Sequence, residues 1–308
     1  MTLNAYGQNP AALLWGILPD AAANAISGCV GAATVNIVSP SPPLYPPMQL
    51  ATWNVNSLKV RLPHVLDWLA AQPVDVLCLQ ETKLIDAKFP AAELAEAGYA
   101  AVFSGQPTYN GVAILTRKST VGEPTDVIIG NPMFADEQRR LISADIGGVR
   151  VICAYFPNGQ AVDSDKYVYK LAWIDALHAW LSGTLMAPGQ APVVLLGDYN
   201  IAPEDRDVHD PAAWAGQVLC SEPERERFRQ LLALGLVDSF RLQEQAERSF
   251  SWWDYRQLAF RRNAGLRIDH ALVDARLADK VLACRIDREP RKREQPSDHA
   301  PVIVELTV

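Results

Sequence analysis

Val193-Val194-Leu195-Leu196-Gly197-Asp198-Tyr199-Asn200 decides the reading of this chain. Four consecutive apolar residues, two of them β-branched, spell a strand buried on both faces. The run stops at Gly197. Asp198 and Asn200 follow two positions apart, so both side chains point to one side while the chain stays extended. A carboxylate and an amide are thereby delivered at the C-terminal end of a core strand, where open α/β sheets place ligands. An isolated Gly-Asp-x-Asn is more often an ordinary Asx turn. What decides against that here is how many other strands end the same way.

Leu50-Ala51-Thr52-Trp53 reads as a strand that delivers Asn54 and Asn56. Leu62, Val65, Leu66 and Leu69 then recur at helical spacing, with Pro63 tolerated in the first turn. A second buried strand, Val74 to Leu79, ends in Gln80-Glu81-Thr82-Lys83, and a third runs from Gly111 to Thr116. Leu141–Asp145 and Val149–Ala154 form a hairpin pattern around Gly147-Gly148 and lead to Tyr155-Phe156-Pro157-Asn158-Gly159. Tyr167, Leu171, Ile174, Leu177 and Leu181 mark an amphipathic helix before the central strand. Ser221-Glu222-Pro223-Glu224 is a capping box, and the helix it opens closes at Gly235. Leu266 to Val273 reads as another strand in which Asp269 points inward, an expensive placement unless paired. Ser297-Asp298-His299 precedes the last strand, Val302 to Leu306. Strand–helix–strand units recur in both halves, which predicts two similar α/β halves packed sheet to sheet with one site between them.

The 308 residues can bury a large core, and 49% hydrophobic with 20% charged residues is a globular composition. A net charge of −7 argues against holding nucleic acid by bulk charge alone, yet allows acidic residues gathered at a metal while arginines line a groove. Cys29, Cys78, Cys153, Cys220 and Cys284 lie far apart, which suits a reducing compartment and suggests neither a disulfide framework nor a zinc site. Residues 1–47 hold one charged residue, Asp20, and end in a proline-rich connector, Pro40 to Pro47. They lack a basic n-region and an uninterrupted apolar span of membrane length. They are expected to be a disordered N-terminal extension, with the folded catalytic domain spanning 48–308.

Asn54, Glu81, Tyr155, Asp198, Asn200, Asp269, Asp298 and His299 come from six separate segments, each at or beside a strand end. Taken singly, such a Glu is usually a capping or salt-bridge residue, and such a Tyr a rim residue. Together, carboxylates and amides without sulfur suit a hard divalent ion, Mg²⁺ or Mn²⁺. A histidine beside an aspartate adds a group that titrates near neutrality. This is an inventory for metal-assisted phosphodiester hydrolysis. Ser251-Trp252-Trp253-Asp254-Tyr255-Arg256, followed by Arg261, Arg262 and Arg267, interleaves aromatics with cations as a nucleic-acid groove does, although aromatics packing a sheet face are the plainer reading.

From Met48 to Val308 the chain resembles bacterial exonuclease III, the AP endonuclease branch of the exonuclease–endonuclease–phosphatase superfamily. Gln80-Glu81-Thr82, Gly197-Asp198-Tyr199-Asn200 and Ser297-Asp298-His299 mark the superfamily. Gly235-Leu236-Val237-Asp238-Ser239-Phe240, Ser251 to Arg256 and Gly265-Leu266-Arg267-Ile268-Asp269 are specific to the branch. Ser57 stands where glycine is common, a minor departure because serine is also small.

The resemblance implies a four-layer α/β sandwich, two packed mixed β-sheets flanked by helices. It implies Glu81 as the principal Mg²⁺ ligand, with Asn54 and Asp298 close by and Asp198 and Asn200 within reach. Asp198 would position or deprotonate water, Asn200 and Tyr155 would hold the phosphate, and Asp269 would orient His299, which steadies the phosphate or acts as the base. Trp252 and Leu266 would line the pocket of a flipped-out abasic sugar, with Asn158 and Arg256 touching DNA. The implied activity is a DNA repair nuclease that cuts 5′ to abasic sites and trims 3′ ends of double-stranded DNA, in base excision repair. The family and the cysteine usage imply a cytoplasmic setting without membrane association, and a monomer is the default expectation. A phosphodiesterase acting on lipid or inositol phosphates is the alternative on the same scaffold, and a non-catalytic DNA-binding relative ranks last because no strand-end residue is missing.

Overall fold

Side-chain alternation along the strands sets where the polar strand ends meet. The computed structural model describes residues 47–187 and 189–307, so the expectation for 1–47 lies outside the described residues except at Pro47. In chain order the strands are β1 (Met48–Asn54), β2 (Val76–Gln80), β3 (Tyr99–Ser104), β4 (Val112–Arg117), β5 (Thr125–Ile129), β6 (Leu141–Ile146), β7 (Val149–Tyr155), β8 (Val193–Asp198), β9 (Leu236–Asp238), β10 (Asp269–Asp274), β11 (Val281–Ile286) and β12 (Val302–Leu306). The helices are α1 (Leu58–Ala71), α2 (Ala91–Glu96), α3 (Asp165–Met186), α4 (Pro211–Trp214), α5 (Glu222–Ala233) and α6 (Ala259–Arg262).

Among the described residues the strands form two six-stranded sheets, in the orders β11-β12-β1-β2-β4-β3 and β5-β6-β7-β8-β10-β9. Each holds one parallel pair, β1 with β2 and β7 with β8, inside otherwise antiparallel neighbours. Leu50, Val76, Cys78 and Ile114 of the first sheet pack against Val151, Cys153, Val194, Leu196, Ala271 and Val273 of the second. The opposite faces are covered: Trp53, Leu77 and Leu79 meet Leu58, Val65 and Trp68 of α1, while Ile152, Val193 and Leu195 meet Trp173 and Leu177 of α3 and Phe228 of α5. This is the expected four-layer sandwich.

With a period of two, residues sharing parity with the inner core point between the sheets. Leu50 and Thr52 lead to Asn54, Val151 and Cys153 to Tyr155, and Val194 and Leu196 to Asp198. Ala271 and Val273 share parity with Asp269. Parallel strands end at the same edge, and an antiparallel partner begins there. So the ends of β1, β2, β7 and β8 and the start of β10 converge. Register sharpens this, because Asp198 stands opposite Tyr155 on one side and opposite Asp269 on the other. Gly197 is required just before it, since a Cβ there would lie 1.9 Å from the Ala154 carbonyl oxygen.

The predicted caps form. Ser164 accepts from Tyr167 N at 3.2 Å to start α3, and Ser221 and Glu224 make the reciprocal capping box of α5. Two expectations need correction. The strand read from Leu266 starts only at Asp269, because Leu266 leaves the sheet to bridge Val208 and Trp252. Arg267, grouped with the groove arginines, is buried and bonded to Asp207 and Asp238, anchoring the loop before α4 to the end of β9. Cys78, Cys153, Cys220 and Cys284 are free and buried. No described helix is long and apolar enough to cross a membrane.

Candidate active site

The strand ends meet as a connected hydrogen-bond network. Asn54 donates through Nδ2 to Glu81 Oε1 at 2.8 Å and to Asp198 Oδ2 at 2.9 Å, tying the two sheets together. The Asn200 backbone N–H donates to Asp198 Oδ1 at 2.9 Å, and its Nδ2 donates to the Phe156 carbonyl at 3.0 Å. Asn158 Nδ2 donates to Asn200 Oδ1 at 2.9 Å. His299 Nδ1 bonds Asp269 Oδ2 at 2.9 Å, leaving Nε2 3.8 Å from Asp198 Oδ2. The inward Asp269 thus has its partner, and Ser251 Oγ further accepts from its backbone N–H at 3.0 Å. The Tyr155 ring lies 4.8 Å from the Arg140 guanidinium.

Glu81 sits at φ 53° and Asn200 at φ 50°, in the left-handed region. Both turn the chain sharply at the moment it leaves the sheet. Non-glycine residues held there cost about 1 kcal/mol or more each, and such strain collects at functional sites.

Burial governs the electrostatics. It pushes the Asp198 carboxyl up; the His299 charge pulls it back, Asp269 pushes again, and the result is a carboxyl titrating at about 7. Burial pulls His299 down, but Asp269 and Asp198 overcome it and raise the imidazole to about 10. At neutral pH the ring is therefore a cation held between Asp269 and Asp198. Burial also pushes Glu81 up, yet Lys83 and Asn54 hold it below the ordinary range. Asp298 is lowered likewise: His299, Trp252 and Asn56 outweigh its burial. The Tyr155 phenol is raised by burial and by Glu81 and Asp198, so it remains a donor.

Two sets of donors could attract a metal. Oxygens of Asp198 and Asp269 and a nitrogen of His299 lie within 4.8 Å of one another. A protonated imidazole cannot ligate, so that cluster reads better as an ion-paired triad. Glu81 and Asp298, both held ionised, with the Asn54 and Asn56 amides between them, are oxygen donors without sulfur. That set fits a hard divalent ion. Lys83 pairs with Glu81 at 2.8 Å.

The other sequence-derived residues are spread around this centre. Trp252 is half-buried and donates from its indole N–H to Asp298 Oδ2 at 3.0 Å. Leu266 is fully buried beneath it among Val208, Leu219 and Ile268. Arg256 stands apart from the network, 87% exposed, with Asp254 as its ionic neighbour. Further residues outside the expected site set contribute. Asn56 Nδ2 donates to Asp298 Oδ1 at 3.0 Å, and Lys83 links Glu81 to Asn56. Beside Tyr155 and Asn158 opens a cleft of about 760 Å³ that also takes in Tyr109, Arg140 and Lys166. Asn56 was visible as a second amide at the end of β1. Arg140 and Lys166 carried no local signal.

Comparison with known proteins agrees with this geometry. Residues 51–299 match the model of the endonuclease/exonuclease/phosphatase family. The chain is 36% identical over 274 residues to exodeoxyribonuclease III of Haemophilus influenzae, covering 84% of this chain and 100% of that protein. Among solved structures, a 3′ phosphatase, NExo, from Neisseria bound to a product DNA hairpin superposes with a TM-score of 0.81 at 47% identity, over 85% of this chain and 100% of that one. An AP endonuclease from Archaeoglobus fulgidus gives 0.79 at 39% identity, over 85% and 100%. This chain therefore belongs to the endonuclease/exonuclease/phosphatase family, in its exodeoxyribonuclease III and AP endonuclease branch, and is a DNA repair nuclease.

Proposed function

We propose that this nuclease is Mg²⁺-dependent, hydrolyses the phosphodiester 5′ to an abasic site leaving a 3′-hydroxyl, and removes nucleotides or blocking groups from 3′ ends of duplex DNA. The observation that carries the reading is Asp198, central in the second sheet, bonded by Asn54 of the first and facing the Asp269-bound His299. Its carboxyl, titrating at about 7, is matched to accept a proton from water near neutrality. His299, charged at that pH, faces the developing negative charge on the phosphate, so Asp198 rather than His299 is the base. Asn200 and Tyr155 donate to phosphate oxygens. Glu81 and Asp298, with Asn54, would hold the ion, and a bound divalent cation supplies Lewis acidity at the phosphate.

The cleft carrying Tyr109, Arg140 and Lys166 offers aromatic and cationic side chains along which a DNA backbone can run, despite the net charge of −7. Trp252 faces the abasic sugar, Leu266 backs it, and Asn158 and Arg256 contact the duplex. The relatives named above are DNA enzymes, one of them a 3′ phosphatase, which supports 3′-end processing and leaves the lipid alternative without an observation in its favour. The protein acts as a cytoplasmic monomer, and its folded domain begins at Met48, where β1 starts. Limited proteolysis should leave a stable core starting near that residue.

The test is a duplex oligonucleotide with one tetrahydrofuran abasic analogue, and a second with a 3′-phosphate, incubated with Mg²⁺ or EDTA, using wild type beside Glu81→Ala. Metal-dependent incision and 3′-phosphate release, both lost in the variant, are expected. Three-prime processing without incision would remove the abasic activity. No reaction from folded protein would overturn the reading.

A further inference from the structure

We propose that Lys170 is a positioning residue for this nuclease, setting Asn200 and Asn158 against Asp198 from beneath the site. The inference rests on the roles just proposed for those two amides.

Lys170 lies on α3 with its side chain fully buried. An ammonium carries three N–H donors. Here all three are used: one on the Asn200 carbonyl at 2.6 Å, one on the Asn158 carbonyl at 3.2 Å, and one on the Glu224 carboxylate. The acceptors belong to three separate segments, the turn after β8, the loop after β7 and the first turn of α5. Glu224 is equally committed, accepting from Leu219 N at 3.0 Å and Ser221 N at 3.1 Å. Both ends of this ion pair are at 0% exposure.

A buried ion pair is a poor stabiliser, because desolvating two charges offsets most of their attraction and an apolar pair of similar volume often does as well. Stability alone does not account for it. What an apolar pair could not do is donate to two carbonyls at once. Those carbonyls belong to the residues whose side chains close the site: Asn158 Nδ2 bonds Asn200 Oδ1 at 2.9 Å, and Asn200 Nδ2 lies 3.3 Å from Asp198 Oδ2. One residue's covalent frame separates the ammonium from the proposed base. The loop also rests on the lysine's shaft. Gly159, at φ 94°, comes so close that a Cβ would meet Lys170 Cδ at 3.2 Å and Tyr167 Cδ2 at 3.3 Å. Arg267, another buried basic side chain, bonds Asp207, Asp238 and His270.

Lys170→Met alone would strand the Glu224 charge and risk unfolding, so the test is Lys170→Met with Glu224→Gln, which removes both charges at similar volume. Melting temperature, Mg²⁺ affinity by calorimetry, kcat and KM on the abasic and 3′-phosphate duplexes, and the side-chain amide resonances of Asn158 and Asn200 are compared with wild type. The expected result is a folded protein with unchanged Mg²⁺ affinity, shifted or broadened amide resonances, and kcat lower by on the order of 100-fold with little change in KM. Wild-type kcat with unshifted amides would overturn the proposal, as would a loss of kcat that only tracks the fraction unfolded. If wild type cleaves neither duplex, the nuclease reading fails instead, and the amide resonances still decide whether Lys170 places the two asparagines.

Discussion

The two sheets reach the same edge with different chemistry. The first brings Asn54, Asn56 and Glu81 and, from the segment before β12, Asp298: amides and carboxylates held ionised, suited to a cation. The second brings Tyr155, Asp198, Asn200 and Asp269, groups that move or direct protons. Asn56, Ser57, Glu81 and Lys83 have positive φ at the strand ends of the first side, as Asn200 does at that of the second. Asn54, through Asp198, and His299, through Asp269, are links between the two sides. The difference teaches that ion binding and water activation are mounted on separate supports and should be separable by mutation.

The largest expected effect breaks the second side alone. Asp198→Asn should lower kcat on the order of 10³-fold while Mg²⁺ affinity, read by calorimetry, stays near wild type. An equal loss of both would collapse the division. Glu81→Gln is the mirror test: Mg²⁺ affinity should fall about 10- to 100-fold, and added Mg²⁺ should recover most of the rate. A rate that no Mg²⁺ concentration restores would place Glu81 in the chemistry itself.

The crossing residue is probed by pH. Wild-type kcat/KM should rise with pH through about 7 as Asp198 loses its proton, and fall above about 10 as His299 loses its own. Asp269→Asn removes the main group that raises His299, so the upper limb should move to lower pH, with about tenfold less activity at neutrality. An unmoved upper limb would assign it to another group. Smallest is Ser57→Gly. Ser57 sits at φ 88°, so the property that matters at this position is backbone conformation rather than the small size serine shares with glycine. Glycine there should stabilise the fold by about 1 kcal/mol, seen as a modest rise in melting temperature with unchanged kinetics.

Much of this division can be read from residue types. Val193 to Leu196 announces a doubly buried strand that ends in a carboxylate and an amide, but because both its faces are apolar, only the structure shows that Val194, Leu196 and Asp198 face the other sheet. The cost of burying an unpaired charge shows that the inward Asp269 needs a partner, and the family resemblance names His299 as that partner. Other parts are silent for physical reasons. The edge strands β5 and β9 are short, and β5 is largely exposed, so neither shows a clean apolar pattern. Lys83 and Lys170 look like ordinary surface lysines until folding brings Glu81 and Glu224 to them over 2 and 54 residues. The same holds for Arg267, whose three-dimensional partners turn a groove candidate into an internal brace. Leu266 reads as part of a strand because its neighbours are apolar, and only the bridges to Val208 and Trp252 show that the chain has left the sheet.

The register around Asp198 carries a consequence for how this protein can change over generations. Tyr155 and Asp269 stand directly across from it on neighbouring strands, and alternate residues of β8 face opposite sides. Adding or deleting one residue within β8 would turn Asp198 toward the helices and an apolar neighbour toward the substrate. Descent can therefore edit the letters of this strand but not its length. New specificities must arise in the segments that leave the sheets, where a gained or lost residue shifts a surface and leaves the reacting groups in phase.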